Sequence, residues 1–119
     1  MAGEVSFFSL GVEDAARGRA FYEGLFGWKS EPVRPSGNGF AFTTPNVPGG
    51  IHGGDPGASP YLFFRVDDIE AAVAKVRELG GEADAPDDED NADSIARFGR
   101  FRLCRDDQGS IFGLHQAPA

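Results

Sequence analysis

Two stretches of this chain repeat the same hydrophobic and polar pattern. Residues 12–28 read VEDAARGRAFYEGLFGW and residues 66–82 read VDDIEAAVAKVRELGGE. A shift of 54 positions lays Val12 on Val66, Asp14 on Asp68, Ala20 on Ala74, Leu25 on Leu79 and Gly27 on Gly81. In the second copy Ile69, Ala72, Val73, Val76 and Leu79 fall at helical spacing and form one apolar stripe. In the first copy the pattern predicts a helix over 15–26, with Ala16, Ala20, Phe21 and Leu25 as its inner face. Asp14 is the expected N-cap there, and Gly27 suits the left-handed position after the last turn. Asp67 with Glu70 reads as a capping box for the second helix.

Each helix follows a short β-prone run, VSFFSLG at 5–11 and YLFFRV at 61–66. Further strands are expected at 28–33, 40–43, around 50–53, at 82–85, 97–105 and 111–116. Turn chemistry separates them: Pro-Ser-Gly-Asn-Gly at 35–39 and Asp-Asp-Gln-Gly-Ser at 106–110. Each half then reads strand, helix, strand, strand, strand. A repeat close to half the chain length indicates two copies of one supersecondary unit. Module one runs over about 1–54, a linker over about 55–59 and module two over about 60–119. At 119 residues this is the size of one domain. A half of that length is marginal as an independent core, so the two are expected to share an interior.

Composition narrows the function. A hydrophobic content of 40% with 11 Phe fits a packed globular protein. The net charge of −8 argues against nucleic acid, which needs clustered Lys and Arg, and against anionic membrane surfaces. No apolar run is long enough for a membrane span, and the first ten residues lack signal-peptide features. A single cysteine, Cys104, excludes an intrachain disulfide and suits a reducing cytoplasm. The acid-rich stretch 82–93 lacks the glycine and terminal Glu of a calcium loop and reads as a solvated loop. No phosphate-cradling glycine loop opens a helix, and no serine-nucleophile elbow is present.

The order of elements, with FYEGLFGW in the first helix, VDDIEAAVAKVRELGG in the second copy and RDDQGSIFGL near the end, resembles the vicinal oxygen chelate superfamily. That group includes glyoxalase I, extradiol dioxygenases, fosfomycin-resistance enzymes and bleomycin-binding proteins. Asp107 and Ser110 stand where the usual terminal hairpin has Pro and Asn. The resemblance implies an α+β fold: two βαβββ modules forming a curved eight-stranded mixed sheet around a cleft. It also implies a homodimer. Metal-using members place one His or Glu ligand on the first and fourth strand of each module. Carried over, those positions fall on Phe7, Tyr61, Gly113 and a residue near His52 or Gly53. At most one His among four positions is a poor divalent site, so neither metal nor other cofactor is expected.

Strand alternation sets residues two apart on one face. Phe7 then brings Ser9, Tyr61 brings Phe63, and Gly113 brings Ile111 and His115 into the implied cleft. Trp28, Phe40, Phe42, Phe101 and Cys104 are taken as neighbours. An aromatic lining with a few polar groups, Ser9, His52, Tyr61 and His115, is the make-up of a small-molecule pocket, and the same Phe residues would also serve as core. The paired acids Glu13-Asp14 and Asp67-Asp68 are read as helix caps. The leading expectation is metal-free binding of a small organic molecule, aromatic or cationic, of the sequestering type. The alternatives are a lyase, isomerase or dioxygenase of the same superfamily, either metal-dependent or using His52, Tyr61 or His115 for proton transfer, and a protein-interaction domain.

Overall fold

The computed structural model describes residues 3–33, 38–55, 60–86 and 92–119. Among the described residues eight strands, parallel and antiparallel mixed, and three helices make an α+β chain; the pattern predicts the eight strands and the first two helices, and the third, over Ala92–Phe98, is additional. It divides into two compact units, Phe7–Tyr61 and Met1–Ser6 with Leu62–Ala119. The linker expected at about 55–59 lies outside the described residues except for Asp55, as does most of the turn at 35–39.

In the first unit β1 (Val5–Gly11, whose first two residues belong to the second unit) leads to α1 (Ala15–Phe26), β2 (Lys29–Pro32), β3 (Gly39–Thr43) and β4 (Gly49–His52). The strands lie in the order β2-β3-β4-β1. β1 and β4 are parallel, with Ser9 beside Gly50 and Gly11 beside His52, and β4 runs antiparallel to β3, with Gly39 beside His52. Phe40, Phe42 and Ile51 face α1 and bury themselves with Ala15, while Leu10, Val12, Tyr22 and Trp28 pack around them. By alternation Ala41, Gly50 and His52 lie on the opposite, helix-free face.

The helix does not use the face expected of it. Phe21 is 63% exposed and Leu25 is exposed as well. Ala15 and Gly18 meet the sheet instead, and a Cβ at Gly18 would run into Ile51 and Val12. The smallest residues of α1 permit its close approach, and close approach, rather than the count of large apolar positions, selected the buried stripe. The expected caps hold: Asp14 accepts from the Arg17 N–H at 3.1 Å, and Gly27 sits at φ 73°.

The second unit holds β5 (Tyr61–Arg65, whose first residue belongs to the first unit), α2 (Ile69–Glu78), β6 (Glu82–Ala83), α3 (Ala92–Phe98), β7 (Arg100–Arg105) and β8 (Ile111–Gln116), with strand order β5-β8-β7-β6. Ile69 and Val73 are buried by α2 against Cys104 and Leu114. Burial of each such aliphatic side chain contributes about 1.5–3 kcal/mol. Leu79 lies beyond the helix end and is exposed, so the apolar stripe stops at Val76. The N-cap is Asp68, the repeat partner of Asp14, and not Asp67: its carboxylate accepts from the Glu70 and Ala71 N–H groups, each at 3.1 Å. Residues 97–99 were expected in a strand. They close α3 and turn out of it, and Gly99 takes φ 88° before β7 begins. The hairpin at 106–110 forms as expected, with the Asp106 carboxylate accepting from Gln108 and Ser110 at 2.9 Å. Residues 87–91 of the acid-rich stretch lie outside the described residues.

Candidate functional site

His52 ends β4 on the helix-free face of the first unit. Its two cross-strand neighbours, Gly11 and Gly39, carry no side chains. Three side chains hold the ring. Ser9 Oγ lies 2.8 Å from Nδ1. Asp55 Oδ2 lies 2.9 Å from Nε2. The Tyr61 ring stacks on the imidazole, with centroids 5.9 Å apart and planes within 11°, and its hydroxyl donates to the same Asp55 oxygen at 3.0 Å. Those two hydrogen bonds, from His52 and then Tyr61, hold the Asp55 carboxyl below its usual range and keep it an anion. A carboxylate on Nε2 accepts a hydrogen bond from that nitrogen, which therefore carries the ring proton. In the neutral ring Nδ1 is then the basic atom, and the Ser9 hydroxyl donates to it. The side chains of His52 and Asp55 are 31% and 34% exposed, so solvent and solutes reach the group.

His115 on β8 is the repeat counterpart of His52. The register pairs Ser9 with Gly50 and Phe63 with Gly113, and Ser9 and Phe63 are related by the shift of 54. Gly50 therefore matches Gly113, and His52 matches His115. A serine again meets Nδ1: Ser6 Oγ at 2.8 Å. Nε2, however, donates to the backbone carbonyl of Phe98 at 2.8 Å. The cross-strand neighbours are Arg65 and Phe101, and the Phe101 ring stacks on the imidazole with centroids 4.5 Å apart. His115 is only 7% exposed. Burial lowers its pKa, partly offset by the Phe98 carbonyl, and Arg65 lowers it further.

The structure sorts the residues expected to line a site. Ser9, His52 and Tyr61 meet in the first unit. Phe7 lies alongside Gly50, its ring 3.6 Å from where a Cβ there would stand. Phe63, Phe101 and His115 form an aromatic row in the second unit, Phe63 covering Gly113. Phe40, Phe42 and Trp28 belong instead to the core beneath α1. Cys104 lies in the core beneath α2, and burial raises its thiol pKa. The pleat turns these four toward the helices. Sequence reading missed Asp55, Ser6 and the Phe98 carbonyl. Only Asp55 left a trace, as an acid three residues after a histidine across a Gly-Gly turn.

The metal arrangement implied by the resemblance does not fit these residues. Register moves the β4 position from His52 or Gly53 to Gly50. The four positions are then Phe7, Gly50, Tyr61 and Gly113, whose side chains offer one phenol, already donating to Asp55. A carboxylate at Gly113 would begin with a Cβ inside the Phe63 ring. Among the described residues no three His, Cys, Asp or Glu side chains converge as a metal site. Nor is any helix among them long and apolar enough to cross a membrane.

Comparison with known proteins agrees with this architecture. The putative glyoxylase CFP32 of Mycobacterium bovis is 31% identical over 127 aligned residues, covering 97% of this chain and 46% of that protein. The anthracycline biosynthesis protein DnrV of Streptomyces peucetius is 29% identical, covering 94% of this chain and 46% of that protein. The chain thus spans about half the length of these curated relatives. The structure of homoprotocatechuate 2,3-dioxygenase from Brevibacterium fuscum superposes with a TM-score of 0.72 at 20% identity, over 99% of this chain and 37% of that one, a likeness of fold. The profile of the Glyoxalase/Bleomycin resistance protein/Dioxygenase superfamily matches residues 5–114, and the chain belongs to that superfamily.

Proposed function

We propose that this chain binds a small organic molecule, aromatic or cationic, without a divalent metal, on the helix-free face around His52. The observation that carries the reading is the setting of His52: an imidazole held by Ser9, Asp55 and Tyr61 and flanked by Gly11 and Gly39. Gly11 and Gly39 bring no side chains to the ring, Phe7 and Tyr61 supply aromatic surface, and the ionised Asp55 offers a counter-charge. The name of the DnrV relative, which concerns an aromatic polycyclic product, supports an aromatic ligand. The homodimer and the cytoplasmic location implied by family and composition are part of the same proposal.

Fluorescence titration with an anthracycline, with proflavine as a cation and with a neutral anthraquinone tests it. Saturable micromolar binding, weakened for proflavine in Asp55→Asn, is expected. No saturation by any probe up to millimolar concentration overturns it, as does one stoichiometric divalent metal in protein purified without a His tag. A second reading, proton transfer by His52, is favoured by the Asp55 anion on Nε2, which leaves Nδ1 basic.

A further inference from the structure

Ser9, His52 and Asp55 form a continuous chain of hydrogen bonds from a hydroxyl through an imidazole to a carboxylate, at 2.8 Å and 2.9 Å. Those are the components that activate a serine, with one inversion: the serine meets Nδ1 and the acid meets Nε2. Chemistry depends on which nitrogen is basic and not on its label. The inversion is therefore no obstacle, provided the acid fixes the tautomer. Asp55 does so, and Tyr61 braces it twice, by its hydroxyl on the carboxylate and by its ring on the imidazole. The β4 residue beside Ser9 is Gly50, which has no side chain to cover the hydroxyl.

We propose that Ser9 is an activated nucleophile that accepts the acyl group of a small activated ester, with His52 as its general base and Asp55 as a positioning residue. Ser9 Oγ forms a bond to the ester carbonyl carbon as its proton passes to His52 Nδ1. The tetrahedral adduct collapses by breaking the bond from carbon to the leaving oxygen, which takes the proton from Nδ1 as it departs. The products are acyl-Ser9 and an alcohol, and the imidazole returns to its starting state. Attack by water on the acyl group, with the same proton path, regenerates the hydroxyl. The imidazolium formed between the two steps lies against the Asp55 carboxylate. This goes beyond the binding reading and does not rest on it: loss of ligand binding leaves the relay intact, and failure of acylation leaves the titrations unaffected.

The test uses the full chain with p-nitrophenyl acetate and, separately, a fluorophosphonate. A stoichiometric burst of p-nitrophenol is expected, with one acetyl or phosphonyl adduct mapped to Ser9 by peptide mass spectrometry. Ser9→Ala removes the adduct. Asp55→Asn, checked for folding by circular dichroism, slows labelling at least about 100-fold, the scale that a general base supplies, and shifts the pH profile of the labelling rate. Mapping on the unaltered chain needs no variant to fold. No adduct, an adduct on a lysine or tyrosine, or equal rates and pH profiles in Asp55→Asn and the unaltered chain would each overturn the proposal.

Discussion

His52 and His115 occupy equivalent positions of a duplicated unit, and each has a serine hydroxyl on Nδ1. They differ in what meets Nε2 and in what stands beside the ring. His52 has a carboxylate and two glycines. His115 has a peptide carbonyl, a stacked phenyl ring and almost no exposure. A carboxylate meets an imidazolium with a full counter-charge, whereas the Phe98 carbonyl only partly offsets the burial that lowers the His115 pKa. His52 therefore carries both proposals, while His115 ties α3 to β8. Equivalent position in a repeat does not carry equivalent function, because the second coordinate of each ring comes from outside the repeated elements. Asp55 follows β4, and the position matching it after His115 is Pro118.

The largest way to break this contrast is at Gly99, next to the carbonyl that holds His115. Its φ of 88° disfavours any side chain, and a Cβ would strike the Gln116 carbonyl oxygen, which is backbone and cannot give way. Gly99→Ala is expected to cost about 2–5 kcal/mol in urea unfolding, from backbone strain plus overpacking. Next comes the pair of alanine variants. His115→Ala leaves the Ser6 hydroxyl and the Phe98 carbonyl without their partner in a buried place, an expected loss of about 2–3 kcal/mol. His52→Ala removes a partly exposed ring and is expected to stay within about 1 kcal/mol by the same measurement. Equal losses at the two sites would erase the distinction.

The smallest effect concerns pH. The folded-state pKa of His115 lies below its ordinary value of 6.5. As pH falls through that ordinary value the unfolded chain takes up the proton first, so stability is full above it and declines on acidification until the folded pKa is reached. The unfolding free energy from urea titrations should decline as pH falls through about 6.5, by about 1.4 kcal/mol for each pH unit between the unfolded and folded pKa. His115→Gln should flatten that slope. Asp55 acts in the same direction at lower pH. Its pKa is lowered from 3.8, so the stability it adds is present above that value and lost as pH falls through the folded value.

Much of this was legible in the chain itself. The repeat, the caps at Asp14 and Gly27, the α2 stripe to Val76 and the superfamily resemblance all follow from local pattern, because capping, left-handed turns and helical amphipathicity are decided within a few residues. The α1 face was misread because large apolar residues outnumber small ones on the wrong side, and only contact with β4 reveals that Gly18 must face inward. Phe40, Phe42, Trp28 and Cys104 were placed at the site because composition does not say which side of a pleat faces the helices. Asp55 was overlooked because its role depends on the turn after β4, and Ser6 because it lies 109 residues from its partner.

By itself, then, the sequence determined a duplicated α+β unit and a set of first- and fourth-strand positions with at most one metal ligand among them. Tertiary structure decided which histidine is open and which is locked. Strand register chose the neighbours of each ring, glycines beside His52 and Arg65 with Phe101 beside His115. The acid or carbonyl on each Nε2 arrives through chain folding that no local periodicity encodes. Those few ångströms set the hydrogen-bond partners of each ring, so the setting of His52 is a property of its packing and not of its place in the repeat.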